Sequence, residues 1–112
     1  MKFLFVGEER SNLAIKMNVT WKDGQLAAKQ LFDALKVNNI DPKKQKFINL
    51  FENNNINIIK KYEGVIVGMG NKVQKVLTEN NIKHIPIIHP AARGKIRKKY
   101  RYANHIKEQL IG

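Results

Sequence analysis

Four polar clusters stand where short apolar runs end, and together their residue types can do chemistry. Gly7-Glu8-Glu9-Arg10-Ser11 follows the run Phe3-Leu4-Phe5-Val6, and Asn49 interrupts the run from Phe47 to Phe51. Gly68-Met69-Gly70-Asn71 follows Val65 to Val67, and His89-Pro90-Ala91-Ala92-Arg93-Gly94 follows Ile85 to Ile88. Carboxylates such as Glu8 and Glu9 can position water or stabilise a developing cation, and an imidazole such as His89 can serve a departing group. Exposed loop carboxylates are common on any surface, so it is their place directly after a strand that marks these two. An amide in an apolar strand costs about 1 to 3 kcal/mol if buried without partners; Asn49 therefore either caps a neighbouring loop or reads a ligand edge. His84 and His105 read as structural or surface residues, whereas His89, at a strand terminus before Pro-Ala-Ala, is better placed for a working imidazole. No spacing of His and carboxylate indicates a metal, and no cofactor is implied. Gly68-x-Gly70 is half of a dinucleotide fingerprint, but Val73 stands where the third glycine belongs, which leaves a strand-to-helix turn.

The densest signal is cationic. Arg93, Lys95, Arg97, Lys98, Lys99 and Arg101 are six basic residues within nine, entering the last helical stretch. A charge run is ordinarily a solvated helix face. Here it follows the His89 loop directly, and positive charge at a helix start opposes the macrodipole unless anions meet it, so phosphate binding is the expected role. The whole chain agrees: 21 Lys plus Arg against 9 Asp plus Glu give a net charge of +12, and the pI is about 10.1. Such a balance calls for a polyanionic partner, nucleic acid or an anionic surface.

These residues need a frame to hold them. A chain of 112 residues fits a single domain, residues 1–112, and 43% hydrophobic with 27% charged residues is a globular composition. The absence of cysteine excludes disulfides, thiolate zinc sites, iron–sulfur clusters and a Cys nucleophile. Phe3 to Val6 is too short for a signal sequence or a membrane span, which makes a cytoplasmic location and no membrane partner the expectation. The four apolar runs read as strands, most of them without in/out alternation, as suits a parallel sheet covered on both faces. Pro86 cannot donate to a ladder, so the last strand is expected at an edge.

Helical patterns separate the strands. One runs from about Asp23 to Val37 and a short one from Ile56 to Tyr62. A third starts with Asn71 as N-cap and Gln74 closing a capping box. The last, from about Lys95 to Leu110, places Ile96, Tyr100, Ala103, Ile106 and Leu110 on one stripe. The β/α alternation predicts a three-layer α/β/α sandwich on a four-stranded, mostly parallel sheet with right-handed crossovers. In such sheets ligands bind beyond the carboxyl ends of the strands, so Glu8, Asn49, Asn71 and His89 are expected to line one cleft.

The set Gly7-Glu8-Glu9-Arg10-Ser11, Asn49 and His89-Pro90-Ala91-Ala92 resembles, in order and along nearly the whole chain, the motifs of the uracil-DNA glycosylase superfamily. The resemblance implies strand order 2-1-3-4. It also implies excision of uracil or a related deaminated base from single- or double-stranded DNA; the family's iron–sulfur cysteines are absent from this chain, so neither metal cluster nor cofactor is expected. Glu8 matches the carboxylate of the Gly-Glu-Ala-Pro-Gly branch and Glu9 the Asp of the Gly-Gln-Asp-Pro-Tyr branch; either would serve the sugar or a water. Asn49 corresponds to the residue that reads the pyrimidine edge, and His89 to the one that hydrogen-bonds the leaving base. Trp21 lies near the base-stacking aromatic, though a core anchor is an equal reading. Ser11 takes the place of the Tyr or Gly that borders the base, and Arg10 that of the motif's Pro. Arg93 falls at the wedge position, with Asn71, Lys95, Arg97, Lys98 and Arg101 as DNA contacts. The alternative function is a non-catalytic nucleic-acid-binding module of the same fold.

Overall fold

Alternate residues of the first strand enter two different cores. In β1 (Phe3–Gly7), Phe3 and Phe5 join one buried cluster while Leu4 and Val6 join another, and all four are almost fully shielded. A strand apolar on both faces has to lie inside a sheet that is covered on both sides. A computed structural model shows this arrangement and describes residues 2–92, 94–97 and 99–112, with Arg97 and Lys99 given by their backbone. β1 is flanked by β2 (Lys46–Asn49) and β3 (Val65–Met69), and β4 (Ile85–Ile87) lies beyond β3. The sheet order is β2-β1-β3-β4, all parallel, with Phe5 opposite both Phe47 and Val67, and Val67 opposite Ile85. The strand with Pro86 is at an edge, as expected.

Helices cover both faces. α2 (Ala27–Val37) brings Leu31, Ala34 and Leu35, and α5 (Lys99–Leu110) brings Tyr102, Ala103, Ile106 and Leu110, onto the face of Phe3, Phe5, Val67 and Met69. α3 (Ile56–Lys60) and α4 (Asn71–Glu79) supply Ile59, Val73 and Leu77 to the face of Leu4, Val6 and Ile66. Among the described residues no helix is long and apolar enough to cross a membrane.

Several boundaries differ from the sequence reading for identifiable reasons. The stretch after Asp23 does not begin a helix: Trp21–Asp23 is one 3₁₀ turn closed by Gly24 at φ +64°, and α2 starts four residues later. An additional helix, α1 (Asn12–Met17), leaves no periodic signal because none of its residues is buried; Ser11 caps it, accepting from the Ala14 N–H. Asn71 is not an N-cap, since Gly70, at φ +91°, holds that place. Gln74 closes no capping box; its Nε2 donates to the Gly68 and Ile87 carbonyls and ties β3 to β4. The last helical stretch is divided between a 3₁₀ turn, Lys95–Arg97, and α5. Its inner stripe carries Tyr102, 1% exposed, and not Tyr100, 73% exposed. The Tyr102 hydroxyl reaches the Ile88 carbonyl at 2.8 Å, which lets a large aromatic sit in the core with its polar tip satisfied.

One polar side chain is built into the opposite end of the sheet. Gln45 is buried, and its Oε1 accepts from the Phe3 N–H at 2.7 Å while its Nε2 donates to the Asp41 carbonyl. Gln45→Leu leaves that N–H without a partner and should lower stability by about 1 to 3 kcal/mol in urea denaturation, whereas Gln45→Glu, which keeps an acceptor, should cost less.

Candidate functional site

At the carboxyl ends of the strands a pocket of about 250 Å³ opens between the loop after β1, helix α1, the Trp21 turn, the start of α2 and the His89 loop. Glu9, Ser11, Trp21, Asn49 and His89, five residues singled out in the sequence, line it together. Leu13, Ala14, Val19, Leu26 and Ala91 form much of its apolar wall. Leu26 holds φ +56°, ψ −130° as the residue before α2, a conformation that L side chains rarely adopt. Beyond β2 the chain still pairs with β1: the Leu50 N–H donates to the Gly7 carbonyl and the Phe51 N–H to the Glu8 carbonyl.

The other sequence candidates are placed differently. Glu8 does not line this pocket, but its charge acts on His89. Asn71, expected in the same cleft, is exposed at the start of α4 and outside the lining, because it is Gly70 that turns against His89. Lys95 and Arg101 are exposed and away from the pocket wall. Lys95 belongs to the 3₁₀ turn and Arg101 to α5. Arg93 and Lys98 lie outside the described residues, as does the Arg97 side chain.

Asn49 has partners on both ends of its amide. The Trp21 Nε1–H donates to Oδ1 at 2.8 Å, and Nδ2 donates to Glu52 Oε2 at 3.0 Å. The same Glu52 oxygen accepts from the Arg10 N–H at 2.7 Å, fastening the loop after β1 to the end of β2. Trp21 itself stacks on Phe47, 6.2 Å between centroids at 15°, and Phe47 stacks on Phe5 at 5.3 Å. The core-anchor reading of Trp21 therefore holds while its indole also lines the pocket. Glu52 was not legible in the sequence, where it is one polar residue in an Asn-rich turn; only the chain reversal after β2 brings it back under Asn49.

His89 has a fixed tautomer. Its Nδ1 accepts from the Ala91 N–H at 3.0 Å, so the neutral ring carries its proton on Nε2 as a donor. Burial pushes its pKa below the ordinary 6.5, and the Glu8 charge offsets part of that shift, which leaves the ring neutral at pH 7.

The segment that leads into His89 is held by α5. The Ile88 N–H donates to His105 Nε2 at 2.9 Å, the Tyr102 hydroxyl to the Ile88 carbonyl, and Gln109 Nε2 to the Pro86 carbonyl at 2.6 Å. These side chains satisfy the free edge of β4 where a fifth strand would otherwise pair.

Among the described residues no group of three or more His, Asp or Glu is placed to hold a metal ion. Comparison of the chain with protein-family models, curated proteins and solved structures gives no match.

The His105 contact sets a pH dependence. Its Nε2 accepts only when unprotonated, and burial lowers its pKa below 6.5, with Glu108 partly opposing. The unfolded chain then binds more protons than the native one, so this stabilisation is present above pH 6.5 and is lost as pH falls through the lower native value. His89 contributes with the same sign. Thermal melts should show Tm falling on acidification below pH 6.5, and His105→Gln, which keeps an acceptor, should flatten part of that fall.

Proposed function

We propose that the protein is a base-excision glycosylase of the uracil-DNA glycosylase type, hydrolysing the N-glycosidic bond of uracil or a related deaminated base in DNA. What carries this reading is the convergence, in one pocket, of a carboxylate (Glu9), an amide (Asn49) and a neutral imidazole with its proton on Nε2 as a donor (His89). The sheet order 2-1-3-4 and the motif order along the chain support it.

Excision requires a nucleotide taken out of the stack, at a cost of a few kcal/mol, and a pocket that receives its base. The bond between C1′ and N1 then breaks, its electron pair leaving with the base, and water adds its oxygen to C1′ while releasing a proton. Charge separates in this step, positive on the sugar and negative on the base. Glu9 stands in the pocket wall to stabilise the cation and take the proton from water. The Nε2–H of His89 is the fixed donor for the base oxygen, and a neutral donor suits an anion that forms only as the bond breaks. Glu8 acts beside it through its charge on the imidazole. The net charge of +12, with Lys95 and Arg101 exposed to solvent, provides for phosphates.

His89→Ala should reduce single-turnover release of uracil by about 100-fold or more while leaving DNA affinity nearly unchanged, because the bond strengthens mainly in the transition state. Oligonucleotides containing uracil, single- and double-stranded, followed by alkaline cleavage of abasic sites, measure this. Tight binding by the wild-type protein with no base released at stoichiometric concentration, for uracil and for other deaminated bases, would instead assign a binding module without chemistry.

The phosphate role is separable from the chemistry. Replacing Arg97 and Arg101 together with Ala should weaken binding to every DNA sequence and flatten the dependence of log K on log salt by roughly 1 to 2. Unchanged affinity at low salt in a folded variant would remove the basic stretch from the interface.

A further inference from the structure

The polar contacts around Asn49 fix more than its position. We infer that Trp21 and Glu52 are positioning residues that lock the orientation of the Asn49 amide and thereby decide which pyrimidine edge the pocket accepts. The inference rests on Asn49 being the base reader of the proposed glycosylase, and deepens that reading.

An asparagine amide has two orientations related by half a turn about its last side-chain bond, and they exchange the carbonyl oxygen with the NH₂ group. To a ligand they present opposite patterns. One offers a donor where the other offers an acceptor. The pyrimidine edge that distinguishes uracil from cytosine differs in the same way: uracil has a carbonyl at C4 and an N–H at position 3, whereas cytosine has an amino group and a bare nitrogen. A freely turning amide could serve both.

In this protein the amide cannot turn without losing both partners. An indole N–H is a donor only, so the Asn49 atom facing Trp21 at 2.8 Å has to be the oxygen. A carboxylate is an acceptor only, so the atom facing Glu52 at 3.0 Å has to be the nitrogen. Half a turn would set donor against donor and acceptor against acceptor. Glu52 is held in turn by the Arg10 N–H, and the indole by its stack on Phe47. Gly7 keeps the space open: a Cβ there would lie 2.9 Å from the Trp21 ring and 3.0 Å from Asn49 Oδ1. Each amide end retains one hydrogen-bonding position, an N–H and an oxygen lone pair. Those match the carbonyl and N–H of uracil and oppose the amino group and ring nitrogen of cytosine.

Trp21→Phe is the sharpest test, because it keeps an aromatic ring on Phe47 and removes the N–H. Two measurements on the full chain apply: the side-chain amide NMR signals of Asn49 without ligand, and the ratio of uracil to cytosine excision, as kcat/KM, from otherwise identical single strands. In Trp21→Phe the Asn49 signals should shift and broaden, and the uracil preference should drop by about tenfold or more. Glu52→Ala should behave alike and Glu52→Gln, which can still accept, should stay near wild type; this pair carries the test if Trp21→Phe fails to fold. Wild-type preference in both Trp21→Phe and Glu52→Ala, in a protein that does excise uracil, overturns the lock and leaves the glycosylase intact. If the wild-type protein neither binds nor cuts uracil-DNA, the glycosylase reading falls, and unshifted Asn49 signals in the variants would overturn the lock independently.

Discussion

Because β1 is buried on both faces, much of the remaining architecture follows. A strand that presents Phe3 and Phe5 to one side and Leu4 and Val6 to the other needs apolar helices on each, and α2 with α5, and α3 with α4, meet that need. Parallel pairing with β2 and β3 then sets every strand end carrying a polar cluster at the same edge of the sheet. Loops that are distant in sequence thus become neighbours at one rim. The pocket is a consequence of this alignment, with the turn after β1 at its centre and the ends of β2 and β4 contributing from either side.

A sheet so enclosed has to satisfy its polar groups from within. Among the described residues no buried side-chain nitrogen or oxygen lacks a partner. Gln45 serves the Phe3 N–H at the amino end of the sheet, Gln74 bridges β3 and β4, and three side chains of α5 cover the free edge of β4. Two of these arrangements border His89. Structural hydrogen bonds thus hold the segments around the candidate site, and a site held in this way has less to reorganise when a ligand arrives.

Charge and shape divide the work. Positive charge dominates the chain as a whole, whereas in the pocket lining Glu9 and Arg10 oppose each other in charge, beside an apolar wall and an uncharged His89. Attraction of a polyanion and recognition of one of its bases can then be tuned by different residues. Lys95 and Arg101 have no part in the pocket wall, and Asn49 and His89 carry no formal charge to contribute to the long-range field.

The sequence by itself determined the four strands, their parallel pairing within an α/β fold and the edge position of the Pro86 strand. Each depends on local signals: unbroken apolar runs, β/α alternation and a missing N–H. It also placed Glu9, Asn49 and His89 at strand ends, where an open sheet gathers its ligands. The helix start at Ala27 was not legible, since it hinges on Leu26 and Gly24, and neither was the inward placement of Tyr102, which only packing selects. Nor was α1, whose residues are not buried and so leave no periodic trace. Tertiary structure alone decided that Asn71 is exposed outside the pocket lining, that Trp21 is both core anchor and hydrogen-bond donor, and that Glu52 holds Asn49. Hydrogen bonds between groups 28 or 42 residues apart, such as Trp21 to Asn49 and Arg10 to Glu52, have no local signature. They come into being only when strand pairing brings two chain reversals together.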